Sequence, residues 1–134
     1  MPTDSHDNKG KTPISLIQSF SYALSGIISV IKAERNMRIH LSATVAVTIM
    51  AFYFSISSFE WLCLLLAIGG MLSLELVNSS IERVVDLVTE DYHPLAKQAK
   101  DMAAGAVFLF AIITVVMGTM IFLPKIVHWM MEWR

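Results

Sequence analysis

One segment constrains the fold more than any other: residues 102–123 contain no Asp, Glu, Lys or Arg, and Pro124 follows them. About 20 predominantly apolar residues are needed to cross the hydrocarbon core of a bilayer as an α-helix. Lipid offers no hydrogen-bond partners, so such a segment must satisfy its backbone groups internally. We therefore predict a membrane-spanning helix over residues 102–123, ended by the proline.

Two further segments meet the same criterion. Residues 39–59 contain no Asp, Glu, Lys or Arg, and residues 61–82 carry acids only at Glu75 and Glu82. Only 16% of all residues are charged, against about 25% in soluble domains. The sequence therefore predicts an all-α membrane protein with three transmembrane helices. Its net charge of -1 provides no basic field, so nucleic acid is not expected as a partner.

The segment 14–36 differs from the three spans because polar residues interrupt it. Its apolar residues recur at helical spacing, at Leu16, Phe20, Leu24, Ile27 and Ile31. This pattern predicts an amphipathic helix that lies on the membrane surface and leads into the first span. The alternative is a fourth, poorly spanning helix, which the polar residues disfavour. Residues 1–13 are polar and predict a disordered tail before a single domain over residues 14–134.

Lysine and arginine are distributed unevenly along the chain. Eight of them precede the first span or lie between the second and third: Lys9, Lys11, Lys32, Arg35, Arg38, Arg83, Lys97 and Lys100. The connection between the first two spans has none, and only Lys125 and Arg134 follow the third. The positive-inside rule then predicts a cytoplasmic N-terminus and a C-terminus outside.

An acidic stripe runs along the second span. Glu75, Asn78, Glu82 and Asp86 are spaced i, i+3, i+7 and i+11, which places them on one helix face. Carboxylates stacked so closely repel unless a cation or protons compensate them, so the stripe predicts a divalent metal at its water-exposed end. The alternative is that Glu75 only pairs with a polar residue of a neighbouring helix. Packing needs one such contact rather than four, which favours a site.

The connection between the second and third spans adds polar residues that suit a metal-bound polyphosphate. Lys100 beside Asp101 suits such a ligand, because acids would hold Mg²⁺ and a cation would hold the phosphates. Asp91, Tyr92 and His93 precede these two residues in the same connection. Lys97 is explained by anchoring at the membrane surface. The sequence has no glycine-rich phosphate loop, so a P-loop site is excluded. Glu34, before the first span, is either a further site acid or a surface residue.

Small residues in two spans favour close helix packing, namely Gly69 and Gly70, then Ala103, Ala104, Gly105 and Ala106. Three spans make a thin bundle, so a homo-oligomer with a site between subunits is a reasonable hypothesis. A different class of function is a non-enzymatic membrane oligomer or channel whose polar stripe lines a pore. A pore would carry polar residues along its full length, whereas the acids here gather at one end.

The chain resembles the small prokaryotic lipid kinases, the diacylglycerol kinase and undecaprenol kinase family, from about residue 20 to residue 124. The resemblance rests on four motifs, FSYALSGI at 20–27, ERNMRIH at 34–40, ELVNSSIERVVDL at 75–87 and DYHPLAKQAKDMAAGAV at 91–107. The last two are together very specific. The resemblance implies a homotrimer in the bacterial cell membrane that transfers the γ-phosphoryl group of MgATP to a lipid alcohol.

The resemblance also implies roles for individual residues. Glu75 matches the catalytic base, and Asn78 matches its neighbour in the lipid headgroup pocket. Glu34 and Glu82 match the acids that bind Mg²⁺ beside the nucleotide. The remaining positions that match nucleotide-binding residues are Tyr22, Asp91, Tyr92, His93, Lys100 and Asp101.

Two positions separate the branches of this family. The Gram-negative diacylglycerol kinases typically carry an acid where this chain has His40 and a serine where it has Ala104. The motifs ERNMRIH and HPLAKQAKDMAAGAV are more similar to the undecaprenol kinase branch. We therefore expect phosphorylation of undecaprenol, with diacylglycerol as the alternative substrate.

Overall fold

The computed structural model describes residues 15–89 and 91–133, and all its regular structure there is helical. It contains four helices, α1 (Leu16–Ala33), α2 (Arg35–Tyr53), α3 (Ser58–Val88) and α4 (Pro94–Glu132). This confirms the predicted all-α fold. The predicted tail, residues 1–13, lies outside the described residues.

The first two helices meet at Glu34. Ser15 and Gln18 form a capping box that starts α1, in which the Ser15 hydroxyl accepts from the Gln18 N–H at 3.3 Å. Glu34 is extended, with φ -95° and ψ 125°, and it ends α1 and begins α2. The helix predicted over residues 14–36 is therefore divided at Glu34. The Glu34 carboxylate therefore lies at the corner between α1 and α2.

The turn between α2 and α3 lies inside the segment predicted as the first span. Helix α2 ends at Tyr53, Ser55 adopts the left-handed conformation at φ 47°, and Ile56 is buried. A capping box of Ser57 and Glu60 then starts α3, with the Ser57 N–H donating to the Glu60 carboxylate at 2.7 Å. The helix within the predicted span 39–59 is thus shorter than the uncharged run, because the last residues of that run form the turn.

The long helices α3 and α4 form the most extensive packing contact in the chain. Both extend beyond the predicted spans 61–82 and 102–123. Pro124 lies inside α4, so the prediction that it ends this helix is wrong. A proline removes one backbone hydrogen bond but is tolerated in membrane helices, where local adjustments and neighbouring groups satisfy the freed carbonyl.

Three of the helices are long and apolar enough to cross a membrane: α1, α3 and α4. Helix α2, with 19 residues, is long enough but not apolar enough, because its first turn carries Arg35, Asn36 and Arg38. The number of candidate spans agrees with the sequence prediction. The assignment of α2 as a span and of α1 as a surface helix stays a prediction.

The apolar core of the bundle lies where the connection between α2 and α3 approaches the second half of α4. It consists of Ala51, Ile56, Leu64, Ile121 and Phe122. Close to it, the Lys125 ammonium of α4 lies 3.0 Å from the Glu60 carboxylate of α3. These contacts fix one end of the α3–α4 pair, and the acidic residues of α3 from Glu75 onward lie toward the other end.

Of the three glycines among the predicted small residues, only Gly70 makes a close helix contact within the described chain. A Cβ atom added at Gly70 would lie 2.4 Å from Cζ of the Phe110 ring, whereas one added at Gly69 or Gly105 would meet nothing within 4 Å. Gly70 therefore lets α4 approach α3 where the aromatic ring packs.

We expect Gly70→Ala to lower the thermal midpoint of the protein in detergent relative to Gly69→Ala. Alanine favours a helix over glycine by about 0.5–1 kcal/mol at both sites, but only at position 70 must the Phe110 ring move, at a cost of about 1–3 kcal/mol. The measurement is thermal unfolding of both variants in one detergent. Equal midpoints would contradict the contact, and Phe110→Leu should restore the Gly70→Ala midpoint if it is correct.

Candidate active site

Three polar side chains are buried next to one another on α3. Glu75 is 2% exposed, Asn78 7% and Ser79 1%. Glu75 Oε2, Asn78 Oδ1 and Ser79 Oγ have no hydrogen-bond partner among the described residues. Because buried polar groups in proteins are nearly always paired, three unpaired atoms within two turns indicate a site that binds a polar group.

The ionisable groups around Glu75 come from α2, from α3 and from the corner between α1 and α2. Glu34, His40 and Glu82 are the ionisable side chains within electrostatic range of the Glu75 carboxylate. Glu34 stands between α1 and α2, His40 lies on α2, and Glu82 lies two turns along α3. The fold therefore brings Glu34, which lies 41 residues before Glu75 in the sequence, into the surroundings of the acids of α3.

The stripe on α3 has the predicted gradient of exposure. The Asn78 amide Nδ2 donates to Glu82 Oε1 at 2.9 Å, which leaves the Asn78 oxygen free. Asp86, one turn further, is exposed and forms an ion pair with Lys100 of α4. From Glu75 to Asp86 the helix rises about 16 Å. An extended ligand lying along α3 would contact the whole stripe.

Arg83 connects this stripe to α1. Its guanidinium donates to the Ser29 hydroxyl at 3.0 Å and lies 3.9 Å from the Glu34 carboxylate. Half of the Arg83 side chain is exposed, so these bonds orient Glu34 more than they stabilise the fold. The sequence interpretation counted Arg83 only as a cytoplasmic charge and missed this role.

Beside the stripe there is a second polar region, a pocket of about 360 Å³ where α3 ends and α4 begins, which we call the second pocket. It brings together five of the residues predicted to hold a nucleotide: Asp91, Tyr92, His93, Lys100 and Asp101. Asp86 and Lys97 also line it. Because Asp86 belongs both to the stripe and to the pocket, the two polar regions are adjacent.

Local hydrogen bonds set the shape of this pocket. His93 is the N-cap of α4, where its Nδ1 accepts from the Leu95 N–H at 3.2 Å, and Pro94 occupies the first turn. The Thr89 hydroxyl donates to the Asp91 carbonyl oxygen at 3.1 Å. Lys97 pairs with Asp101 within α4. The two pocket lysines are thus each held by one carboxylate, which keeps both ammonium groups at the pocket.

One predicted residue lies apart from the others. Tyr22, on α1, is 65% exposed and lines neither the buried stripe nor the second pocket within the described chain. The sequence analysis did not identify Ser79 and His40 as site residues, although both lie near Glu75. Ser79 could have been found from its spacing, because it follows Glu75 by four residues and so lies on the same helix face. No local signal in the sequence identified His40 as a neighbour of Glu75.

Comparison with known proteins identifies the family. The family model for prokaryotic diacylglycerol kinase matches residues 21–122. The undecaprenol kinase of Bacillus subtilis is 47% identical over 92% of this chain and 99% of its own length. The diacylglycerol kinase of Synechocystis is 41% identical over 87% of this chain and 67% of its own. That of Pseudomonas aeruginosa is 32% identical over 84% and 94%.

The matched region contains the four sequence motifs, apart from Phe20 at the start of the first, and every buried polar residue of α3. Members of this family are membrane lipid kinases, and a kinase uses ATP as the phosphoryl donor. With its helical membrane fold, its buried acid and its long match to named lipid kinases, the chain belongs to the prokaryotic diacylglycerol kinase family.

Proposed function

We propose that the chain is an ATP- and Mg²⁺-dependent lipid kinase that transfers the γ-phosphoryl group of ATP to the hydroxyl of undecaprenol, giving undecaprenyl phosphate. One observation carries the proposal: Glu75 is buried with an unpaired carboxylate oxygen, on the helix that leads to the polar pocket. The 47% identity with an undecaprenol kinase supports the choice of lipid.

Glu75 acts as the general base. A lipid hydroxyl is a very weak acid, so its attack on phosphorus requires a base within hydrogen-bond reach. The hydroxyl oxygen forms a bond to the γ-phosphorus as the bond from that phosphorus to the β–γ bridging oxygen breaks. The hydroxyl proton passes to Glu75, and ADP leaves. Burial keeps water from competing with the lipid for this carboxylate.

Asn78 and Ser79 hold the lipid headgroup beside the base. Asn78 has its amide engaged by Glu82 and its oxygen free, and Ser79 has an unpaired hydroxyl four residues after Glu75. A lipid alcohol can donate a hydrogen bond to the Asn78 oxygen or exchange hydrogen bonds with the Ser79 hydroxyl, because a hydroxyl both donates and accepts.

Glu34 and Glu82 have the donor chemistry for Mg²⁺. Magnesium at phosphoryl-transfer sites is usually bound through one or two carboxylates together with substrate phosphates. The described residues form no cluster of three or more side-chain ligands, which suits a site completed by ATP. Bound Mg²⁺ would neutralise charge on the phosphates. Arg83 keeps the Glu34 carboxylate turned toward α3.

The second pocket binds the nucleotide. Lys100 supplies a cation for the phosphates, while Asp86 holds the ammonium group in place before ATP arrives. The other contacts come from Asp91, Tyr92, His93 and Asp101. Tyr92 is 80% exposed, so its ring is available to stack on a base.

A homotrimer with sites shared between subunits would explain why Tyr22 lies apart from the other predicted nucleotide-binding residues. Tyr22 is exposed on α1, and the apolar residues around it are also exposed, including Phe20 at 72% and Leu24 at 58%. In a trimer, α1 of one subunit would bring Tyr22 to the nucleotide of a neighbour. Bilayer lipid would cover the remaining apolar surface.

In the proposed orientation, α2, α3 and α4 cross the bacterial cell membrane and α1 lies on its cytoplasmic surface. The uneven distribution of lysine and arginine supports this arrangement, with the N-terminus inside and the C-terminus outside. Glu34, Arg83 and the second pocket then share the cytoplasmic side, where ATP is available. Glu75 lies where the cytoplasm meets the hydrocarbon core.

The decisive assay gives the purified protein labelled ATP and Mg²⁺, with undecaprenol and diacylglycerol in separate mixed micelles. We expect label in undecaprenol with a kcat/KM above that for diacylglycerol. The reverse order would assign the chain to the diacylglycerol reaction named for several relatives. Label in neither lipid would refute the kinase proposal.

We expect Glu75→Gln to reduce kcat by about 10²–10⁴-fold, the usual contribution of a general base. The amide keeps the size of the side chain but cannot accept the lipid proton. Glu60→Gln is the matched control, because Glu60 lies on the same helix at the opposite end. Its kcat should equal that of the wild type, and both variants should form the wild-type oligomer. A Glu75→Gln variant with near-normal kcat would remove Glu75 as the base.

Replacement of Lys100 by alanine should raise the KM for ATP by about tenfold or more, because a charge-assisted bond contributes about 1.5–3 kcal/mol. Lys125→Ala is the control: this lysine also belongs to α4 and also pairs with an acid of α3, but at the other end of the bundle. Steady-state kinetics at saturating lipid separates the two. An equal effect of both variants on KM would show that only helix packing is involved.

A further inference from the structure

Arg83 has hydrogen-bonding capacity that the fold leaves unused. A guanidinium has several N–H donors, and within the described chain that of Arg83 makes one hydrogen bond, from Nη1 to the Ser29 hydroxyl at 3.0 Å. The Glu34 carboxylate lies 3.9 Å from Nη2, which is within ion-pair range but beyond hydrogen-bond distance. Because 47% of the side chain is also exposed, most of its donors remain available to a ligand.

The surroundings of Arg83 are strongly acidic. The described residues contribute six acids at this end of the bundle: Glu34, Glu75, Glu82, Asp86, Asp91 and Asp101. Helices α3 and α4 carry three cations here, and two of them, Lys97 and Lys100, are each paired with a carboxylate. The third, Arg83, makes no hydrogen bond to an acid in the described chain. A polyphosphate that enters this acidic region therefore finds in Arg83 the least committed cation.

Arg83 lies between the buried acid and the second pocket. It follows Glu75 by about two turns of α3 and precedes Asp86, which lines the pocket, by about one. It is turned about 80° from Glu75 around the helix, toward α1, where Ser29 accepts its hydrogen bond. The rise from Arg83 to Asp86 is about 4.5 Å. A triphosphate that extends along α3 from the second pocket toward Glu75 would thus pass within reach of the guanidinium.

We infer that Arg83 binds the β- and γ-phosphates of ATP directly. This inference rests on the proposed lipid kinase function and adds a second phosphate-binding cation to Lys100. Arginine suits the task because its planar fork of donors matches two phosphate oxygens at once, whereas an ammonium acts as a point charge. The bond to Ser29 holds the guanidinium beside the path of the phosphates before the nucleotide binds.

The competing role for Arg83 is to hold α1 against α3 and orient Glu34 without touching the nucleotide. In that role Arg83 would act only through Glu34 and the Mg²⁺ ion proposed to bind there. A higher Mg²⁺ concentration would then compensate for loss of the guanidinium. A direct bond to phosphate is not replaced in this way, so the affinity for ATP at saturating Mg²⁺ separates the two roles.

The first test measures nucleotide binding in detergent without lipid, so that no phosphoryl transfer takes place. Displacement of trinitrophenyl-ATP by ATP gives the Kd of ATP at saturating Mg²⁺. We expect Arg83→Gln to raise this Kd about tenfold or more, the usual effect of losing a charge-assisted hydrogen bond. Arg83→Lys keeps the charge but not the fork, so its Kd should lie between those of the wild type and Arg83→Gln.

Arg38→Gln is the matched control. Arg38 is also an exposed arginine close to Glu34 in the sequence, and its guanidinium donates to the Lys32 carbonyl oxygen at 3.1 Å. Its Kd for ATP should stay within about twofold of the wild type, because solvent and salt screen an exposed charge that touches no phosphate. Equal losses of affinity in Arg83→Gln and Arg38→Gln, or a loss in Arg83→Gln that disappears as Mg²⁺ is raised, would overturn the inference.

A second measurement needs no variant. The wild-type protein is treated with phenylglyoxal, which modifies accessible guanidinium groups, and the modified arginines are mapped by mass spectrometry. We expect ATP with Mg²⁺ to protect Arg83 but not Arg38, and adenosine, which has no phosphate, to protect neither. Modification of Arg83 that is unchanged by bound ATP would overturn the inference. Wild-type protein from which ATP displaces no trinitrophenyl-ATP would instead count against the kinase function itself.

Discussion

The arrangement of this protein depends on a carboxylate kept out of water. Glu75 is 2% exposed in a helix long and apolar enough to span a membrane, and burying a charged group without partners costs several kcal/mol. Protein stability alone would favour an apolar residue at this position. Asn78 and Ser79, also buried beside it, add the smaller cost of unpaired neutral polar atoms. A cluster that lowers stability in this way is retained when it contributes chemistry.

Two ion pairs keep this cluster in register with the pocket. Lys125 and Glu60 join α4 to α3 at one end of the pair, and Lys100 and Asp86 join them at the other. Between these ends, Gly70 lets the helices approach closely enough for the Phe110 ring to fill the space. Sliding of α4 along α3 would break all three contacts together. The distance from the buried Glu75 carboxylate to the second pocket is thus fixed by helix packing rather than by a loop.

Features set by helical periodicity could be predicted from the sequence, whereas features set by tertiary contact could not. The four-residue stripe on α3 was visible because helical spacing alone determines which residues share a face. The end of α2 at Tyr53 could not be predicted, because the turn residues after it are as free of charge as residues 39–53 of the helix. The prediction that Pro124 ends the helix was wrong, because the neighbouring sequence does not distinguish a proline that ends a membrane helix from one that lies inside it. The bonds of Arg83 to Ser29 and Glu34 depend on where α1 lies against α3.

A count of hydrogen bonds links the buried cluster to the proposed lipid alcohol. With Glu75 ionised, as the proposed base must be, the unpaired atoms comprise two acceptors, Glu75 Oε2 and Asn78 Oδ1, and one hydroxyl, that of Ser79. Ser79 can donate to only one of the two acceptors. Lipid tails bring no donor, and an apolar helix from a second subunit brings none either. A single alcohol supplies the missing hydrogen and places it on the carboxylate, which is the position from which Glu75 would remove it.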